Sequence, residues 1–279
     1  MKNKKALAEK IHVAVCQMYE AVSVNPLQNF HFPVGLHAAL TVGYPKKLLA
    51  TLPSLAVESF AGVSYHFKNN TIKRGDVVLD IGSGSGTDVL IASQLVGREG
   101  KVIGVDITDA MIAKARKASS NNGFSNVVIL KADVESLPIE DESVDVVISN
   151  GVINLVPDKE KVFSEIYRVL KPGGKLSLAD IVLGNPISKE SRNDPKLWAE
   201  CVVGATLEEG YFRLIERAGF VDVNVIERFD YFSHSSAENT RAVAREYNAH
   251  AIVLTAKNLT EQKIQAKGGE NKWQKPSME

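Results

Sequence analysis

Apolar runs alternate with amphipathic stretches through the middle of the chain. The runs are short and rich in Val, Ile and Leu, which is typical of strands buried on both faces of a parallel sheet. The stretches between them predict helices, and this alternation predicts a doubly wound α/β fold. Asp158 is the predicted N-cap of the third helix. The predicted strands cover residues 77–81, 101–106, 127–131, 144–149 and 175–181, and the predicted helices cover residues 87–96, 109–121 and 158–170.

The first 70 residues have a different pattern. Residues 5–24 carry apolar side chains at helical spacing and predict a helix, and residues 46–60 predict a short second helix. Between them, residues 25–45 are rich in Pro, His, Gly and aromatic side chains, which indicates an ordered but irregular segment. We therefore expect residues 1–70 to form an N-terminal helical lid that closes over a bound small molecule.

The regular alternation ends near residue 183. Residues 184–206 and 228–248 predict irregular insertions, and we expect the α/β domain to span residues 71–257. The polar, lysine-rich stretch 258–279 predicts a disordered tail. The remaining predicted elements are a helix at 207–218 and strands at 221–226 and 251–256.

Three alternating glycines directly follow the first predicted strand. Gly82, Gly84 and Gly86 permit a tight turn and let a ligand lie against bare backbone. The turn leads into a helix N-terminus, where free N–H groups and the helix dipole favour negative charge. The pattern indicates a nucleotide site, but the glycines alone do not distinguish a dinucleotide from S-adenosylmethionine.

Carboxylates at the strand ends indicate which of these two cofactors the site is suited to bind. Asp106 ends the second strand about 20 residues after the last glycine, where it can accept hydrogen bonds from both ribose hydroxyls. Asp80 lies beside the glycine turn, where it would repel a diphosphate but attract the cationic amino-acid end of S-adenosylmethionine. Asp133 follows the third strand and is placed to accept from an adenine amino group. Asp106 and Asp133 also have purely structural interpretations, as a solvated residue at a strand end and as a loop residue.

These residues resemble the motifs of class I S-adenosylmethionine-dependent methyltransferases. The stretch from Val78 to Gly86 is similar to their first motif, and Asp106, Asp133 and residues 170–174 (Leu-Lys-Pro-Gly-Gly) are similar to later ones. The resemblance implies a mostly parallel seven-stranded sheet with an antiparallel strand at 251–256, and S-adenosylmethionine as the cofactor. The cofactor-binding residues that it implies are Asp80, Gly82, Ser83, Gly84, Gly86, Asp106, Ile107, Asp133, Val134 and Asn150.

The chain resembles the arsenite methyltransferase family more specifically. Members of that family hold As(III) through three cysteine thiolates, and the matching positions in this chain read Val63, Gly151 and Cys201. Because As(III) is a soft acceptor that needs sulfur ligands, two of its three ligands are missing. The resemblance therefore implies a small-molecule methyltransferase, with arsenite as one hypothesis for the acceptor and another small thiol, selenium or organic molecule as the alternative. The matching stretches are residues 94–106, 144–155 and 198–205.

The acceptor side offers fewer candidate residues. Cys201 and Tyr65 are the leading ones, although Cys201 is also explained as a small buried apolar residue. His31, His37 and His66 are candidate bases or ligands in the N-terminal segment. A hydroxyl or amine acceptor would require a base within hydrogen-bonding reach, and the absence of one at a strand end favours a soft acceptor. Two other functions stay open, a nicotinamide-dependent oxidoreductase and a non-catalytic cofactor-binding protein.

The composition limits which binding partners and which cellular compartment are expected. Lys plus Arg number 33, as do Asp plus Glu, so charge gives no reason to expect nucleic acid or an anionic membrane as partner. Two cysteines cannot build a disulfide framework, and no apolar run is long enough to span a membrane. The basic N-terminus does not continue into a leader-like apolar stretch. We expect a cytoplasmic enzyme with a small-molecule acceptor and no metal ion, and the sequence is silent on oligomeric state.

Overall fold

A central sheet organises the fold, which a computed structural model describes for residues 2–188, 198, 202–235 and 237–259. Its strands are β1 (Val77–Ile81), β2 (Lys101–Asp106), β3 (Val127–Lys131), β4 (Val144–Asn150), β5 (Leu170–Leu183), β6 (Thr206–Leu207), β7 (Val221–Phe229) and β8 (Ala249–Lys257). Their order is β3-β2-β1-β4-β5-β8-β7, with β6 paired to β5. Strands β1 to β5 are parallel, whereas β8 is antiparallel to both of its neighbours.

This sheet confirms the predicted α/β class and the antiparallel strand near 251–256. The two-residue strand β6 is an addition to the seven strands that the sequence predicts, and it is too short to leave a pattern. Strand β5 begins at Leu170 rather than at Lys175, because the chain through Pro172 is already extended beside β4. A register shift between Val144 and Val146 accommodates this early pairing.

Helices cover both faces of the sheet. They are α1 (Lys2–Val24), α2 (Gly35–Thr41), α3 (Lys46–Leu49), α4 (Ser54–Val57), α5 (Thr87–Val96), α6 (Asp109–Ser120), α7 (Lys159–Val169), α8 (Glu208–Arg217) and α9 (Glu238–Glu246). Helices α5 to α8 follow the predicted bounds within two residues. Asp158 caps α7 as predicted, since its side chain accepts a hydrogen bond from the backbone N–H of Lys161 at 3.1 Å.

The predictions were less accurate outside the regular alternation. The segment 25–45 contains α2, and the segment 228–248 contains the end of β7 and all of α9. The polar helix α9 lacks a long apolar stripe, and it is supported instead by ion pairs from Glu238 to Arg241 and Arg245. The helix predicted at 46–60 is two short helices, because the proline at position 53 disfavours a helical conformation for the residue before it.

Two apolar layers hold these helices on the sheet. One layer joins α5 and α6 to buried residues of the N-terminal segment, and the other joins α7 and α8 to the opposite face. Lys114 on α6 fixes the N-terminal segment through hydrogen bonds to Ser23 O and Ser59 Oγ, at 2.6 and 2.9 Å. The division at residue 71 stays a prediction. Residues 260–279 of the predicted tail, and most of the predicted insertion 184–206, lie outside the described residues.

Candidate functional site

A cavity opens at the carboxyl ends of β1, β2 and β4, where the glycine turn leaves the sheet. It encloses about 950 Å³ of space between atoms, including a part open to solvent. Helix α1 contributes His12, Val15 and Tyr19 to its wall, so the N-terminal segment covers the site. The cavity brings together nine of the residues predicted to bind the cofactor: Asp80, Gly82, Ser83, Gly84, Asp106, Ile107, Asp133, Val134 and Asn150.

Two glycines of the turn have different tasks. Gly84 has a φ of +52°, and a Cβ added there would meet no atom within 4 Å. The space beside its backbone is therefore open to a ligand, as the motif predicts. Gly86 lies outside the cavity wall and precedes α5 with a φ of +99°, a conformation that glycine adopts without strain.

Asp106 connects the end of β2 to the glycine turn. One carboxylate oxygen accepts from Gly84 N at 2.9 Å and the other accepts from Thr108 N at 2.8 Å. Burial raises the pKa of Asp106, and these backbone hydrogen bonds lower it. Because each oxygen holds two lone pairs, the fixed carboxylate can still accept hydrogen bonds from a ligand.

Asp133 lies at the opposite wall, beneath α1. One carboxylate oxygen accepts from Glu135 N at 2.9 Å, and the other is 3.8 Å from Nε2 of His12. His12 was not singled out from the sequence, because its helical spacing does not reveal which part of the sheet α1 covers. The side chain of Asp133 is 38% exposed, so it remains accessible to a ligand in the cavity.

Asp80 differs from the other two aspartates because it is almost fully buried. Its side chain is 2% exposed, and its Oδ2 atom receives no hydrogen bond from any described residue. Burial raises the pKa of Asp80 well above its usual value, and the nearby carboxylates of Asp88 and Asp106 raise it further. An unpaired carboxylate inside a cavity is suited to a cationic ligand.

A second buried carboxylate, Asp88, is held by side chains that lie far apart in the sequence. Tyr44 Oη donates to its Oδ1 at 2.6 Å, and Asn150 Nδ2 donates to its Oδ2 at 3.1 Å. His66 Nε2 lies 3.1 Å from the same Oδ2 atom. Sequence reasoning missed Asp88 and Tyr44, since an acidic residue in a first helical turn is ordinarily explained by the helix dipole.

Asn150 lines the cavity, but its amide is engaged by the protein. Its Oδ1 accepts from Val63 N at 2.8 Å, and its Nδ2 donates to Tyr44 Oη and to Ser64 O at 2.9 and 3.0 Å. These bonds join the end of β4 to the N-terminal segment. A direct contact between Asn150 and a cofactor stays a prediction.

Comparison with known proteins decides the family. Residues 72–219, which are more than half of the chain, match the family model described as a methyltransferase domain. The chain belongs to the methyltransferase domain family. This confirms the resemblance drawn from the glycine turn and the strand-end aspartates.

Individual relatives of this methyltransferase-family chain are consistent with that assignment. An arsenite methyltransferase of Halobacterium salinarum is 44% identical over 151 residues, which are 54% of this chain and 39% of that protein. A ubiquinone/menaquinone biosynthesis C-methyltransferase of a Marinomonas species is 33% identical over 181 residues, covering 62% of this chain and 66% of that protein. The chain thus spans only about two fifths of the arsenite methyltransferase.

A solved structure extends the likeness to most of the chain. The crystal structure of an arsenic(III) S-adenosylmethionine methyltransferase from Chlamydomonas reinhardtii is similar with a TM-score of 0.61 and 32% identity. The similarity covers 80% of this chain and 73% of that one. It confirms the Rossmann-like architecture and reaches beyond the residues matched by the family model.

The two described positions that correspond to family thiols are in contact. Gly151 has a φ of +73°, and a Cβ added there would lie 3.1 Å from Cγ1 of Val63, which is 1% exposed. The third position, Cys201, lies outside the described residues. Near this point the cavity wall is apolar, and its members are Phe60, Ala61, Val152, Leu155 and Val156.

The other acceptor-side candidates do not line the cavity. Tyr65 packs against Tyr44 with ring centroids 4.8 Å apart, and burial together with the charge of Asp88 raises its pKa, which disfavours its action as a base. Burial lowers the pKa of His31 to about 4, and His37 is exposed. His66 is buried behind Asp88.

The described residues contain neither a metal-binding cluster nor a membrane-spanning helix. No group of three or more His, Cys, Asp or Glu side chains in them is arranged to hold a metal ion. Nor does any helix in this part of the chain combine the length and apolar character needed to cross a membrane.

The residues of the cavity fit S-adenosylmethionine. The buried Asp80 provides an unpaired acceptor for an ammonium group, Asp106 keeps lone pairs for hydroxyls, and the space beside Gly84 is open. A diphosphate would be repelled by Asp80 and Asp88, which both line the cavity.

Proposed function

We propose that this chain is a methyltransferase that uses S-adenosylmethionine to methylate a small molecule. The observation that carries the proposal is the unpaired, buried Asp80 carboxylate in a cavity whose other walls present Asp106 and Asp133. This set of acceptors matches a ligand with an ammonium group, two ribose hydroxyls and an adenine amino group. The family match and the similarity to an arsenic(III) S-adenosylmethionine methyltransferase support the same cofactor.

Each residue then has a defined task in binding. Asp80 pairs with the ammonium group, Asp106 accepts from the ribose hydroxyls, and Asp133 accepts from the adenine amino group. The backbone beside Gly84 gives the cofactor room to lie against the turn. Ser83, Ile107 and Val134 complete the walls around the adenosine part.

The bound cofactor supplies a methyl group activated by attachment to a sulfonium. The protein contributes orientation and the exclusion of water, and orientation alone can supply about 7–11 kcal/mol of rate enhancement. Helix α1 and Phe60 cover the cavity and shield it from solvent. No described side chain on the apolar wall is suited to remove a proton, which favours an acceptor that is already nucleophilic.

The acceptor that we propose is a small soft nucleophile rather than arsenite held by three thiolates. Val63 and Gly151 provide no sulfur, and a Cβ added at position 151 would lie 3.1 Å from Cγ1 of Val63. The apolar wall favours a small thiol or selenium compound, or an organic molecule with an apolar face. Cys201 stays a proposed acceptor-side residue. We keep the cytoplasm as the proposed compartment, because free thiols are maintained there.

Two measurements test cofactor binding and transfer separately. Isothermal titration with S-adenosylmethionine should show binding that weakens by about 10- to 100-fold in Asp106→Ala, as expected for lost hydrogen bonds to a charged group. Asp109→Ala is the matched control, since Asp109 lies outside the cavity wall and pairs with Lys131 at the surface. Equal affinities in the two variants would reject the cofactor site.

Transfer is then measured with labelled cofactor against arsenite, thiols, reduced selenium compounds and small amines. Transfer to a thiol or selenium compound supports the proposal, whereas arsenite as the preferred acceptor would contradict our choice of acceptor. Loss of that arsenite activity in Cys201→Ser would assign Cys201 to the site, and its persistence would exclude Cys201. Cofactor binding without transfer to any acceptor would instead favour a non-catalytic relative, and binding of NADH in place of S-adenosylmethionine would favour an oxidoreductase.

A further inference from the structure

We infer that the buried carboxyl groups of Asp80 and Asp88, which line the same cavity, form a functional pair in which Asp80 holds a proton in the ligand-free protein and releases it when a cationic ligand binds. The inference deepens the proposed function and rests on it, because S-adenosylmethionine is the cationic ligand in question. It assigns to Tyr44 and His66, which do not line the cavity, the task of positioning Asp88.

Hydrogen bonding distinguishes the two carboxyl groups. Tyr44 and Asn150 donate to Asp88 at 2.6 and 3.1 Å, and His66 Nε2 lies 3.1 Å from it, at donor distance. Asp80 Oδ2 receives no donor from the described residues, although the residue is 2% exposed. Donors stabilise a carboxylate, and a buried carboxyl group without them favours its neutral form. Asp80 is therefore the carboxyl group that holds a proton in the ligand-free protein.

In the described part of the cavity, no positive charge lies beside Asp80 to stabilise its ionised form. The titratable groups that face it are Asp88 at the start of α5 and Asp106 at the end of β2, which both raise its pKa, and the hydroxyl of Tyr44 from the N-terminal segment, whose own pKa is raised by burial. Among the described residues that line the cavity there is no Lys or Arg, and the basic side chain present, His12, lies beside Asp133. A cation that neutralises Asp80 must come from the ligand.

Proton release follows from this arrangement by linkage. When an ammonium or sulfonium group enters the cavity, the ionised form of Asp80 gains a partner and its proton leaves to solvent. At pH values below the pKa of Asp80 in the free protein, the affinity for S-adenosylmethionine should rise by up to about tenfold per pH unit. Neutral adenosine, which lacks both cationic groups, should bind without this dependence.

Calorimetry in several buffers counts the proton directly. S-adenosylmethionine is titrated into the full chain at a series of pH values, each in buffers of different ionisation enthalpy, and adenosine is titrated in parallel. At the acidic end of the series, the slope of the observed enthalpy against the buffer enthalpy should approach one proton released for S-adenosylmethionine and stay at none for adenosine. A zero slope there with S-adenosylmethionine bound overturns the inference and leaves the proposed function intact. Failure of S-adenosylmethionine to bind overturns both.

Variants identify the source of the proton. Asp80→Asn should abolish the release, whereas His66→Gln should keep it, because glutamine can still donate to Asp88 but does not titrate. The opposite pattern would assign the proton to His66 and refute the pair. If Asp80→Asn no longer binds S-adenosylmethionine, difference infrared spectroscopy of the ligand-free proteins tests the same point. A protonated-carboxyl band should be present in the ligand-free protein and absent from ligand-free Asp80→Asn, and an unchanged band in that variant would contradict the inference.

Discussion

Replacement of Gly151 by alanine tests the contact that distinguishes this chain from thiol-bearing relatives. Gly151 adopts a φ of +73°, and its added Cβ would lie 3.1 Å from Cγ1 of Val63. The substitution therefore has two costs, a left-handed backbone and a forced displacement of Val63. Gly84 provides a matched control, because it has a φ of +52° but open space at the Cβ position.

The two costs have separable magnitudes. A non-glycine residue in the left-handed region costs about 1–2 kcal/mol, which applies to both Gly151→Ala and Gly84→Ala. Overpacking a buried contact costs a further 1–3 kcal/mol or so, and it applies only at Gly151 because Val63 is buried. We expect Gly151→Ala to lower the free energy of unfolding by about 2–5 kcal/mol and Gly84→Ala by about 1–2 kcal/mol.

Urea unfolding followed by far-UV circular dichroism measures these differences without any ligand. Adding Val63→Ala should relieve the contact, so the double variant with Gly151→Ala should be more stable than the sum of its parts by about 1 kcal/mol or more. The corresponding double variant with Gly84→Ala should be additive within about 0.5 kcal/mol. Equal costs for the two glycines, or additivity in both cycles, would refute the reasoning.

Three other predictions concern side chains outside the glycine turn. Tyr44→Phe should lower the free energy of unfolding by about 1.5–3 kcal/mol, because it removes a buried hydrogen bond to the Asp88 carboxylate. As a control in the same urea titration, Tyr65→Phe should change the free energy of unfolding by less than about 0.5 kcal/mol. Asp158→Ala should cost about 1 kcal/mol in the same assay through loss of the α7 N-cap. Burial raises the pKa of Asp180 to about 6, so its contribution to stability is full below about pH 4 and is lost as the pH rises through 6. Thermal melts from pH 4 to 7 should therefore show a fall in stability that Asp180→Asn reduces; parallel curves for the two proteins would contradict this.

The sheet and much of the cofactor side could be predicted because their signals are local. Each buried strand is a continuous apolar run, and the carboxyl ends of parallel strands meet at one edge of the sheet. Asp80 and Asp106 end two such strands, so their convergence follows once the strands are recognised. Gly84 lies three residues after the end of the strand that contains Asp80, and its open surroundings agree with its position in the motif.

The N-terminal part of the site could not be predicted, because its contacts join residues far apart in the chain. Tyr44 and Tyr65 lie in the same aromatic segment, and their local sequence gives no indication of which hydroxyl reaches Asp88. The structure buries Tyr44 at 2% exposure and places its hydroxyl 2.6 Å from a residue 44 positions away. The sequence points to Tyr65 instead, because Tyr65 lies among aromatic and imidazole side chains just before the α/β fold, whereas burial decides which residue can act.

The contact between Val63 and Gly151 connects the resemblance to the chemistry. Two residues that correspond to ligands of one arsenic atom must be spatial neighbours, and these two are in contact although they come from the N-terminal segment and the end of β4. Their proximity supports the correspondence with the family positions. Neither side chain, however, supplies the sulfur that binding of arsenic requires. A valine methyl group and a bare backbone stand at the two positions where the resemblance implies thiolates. The same cavity keeps the aspartates proposed to bind the cofactor, so the difference from the thiol-bearing family lies on the acceptor side. Selection among acceptors would then depend on apolar contact instead of on sulfur ligation.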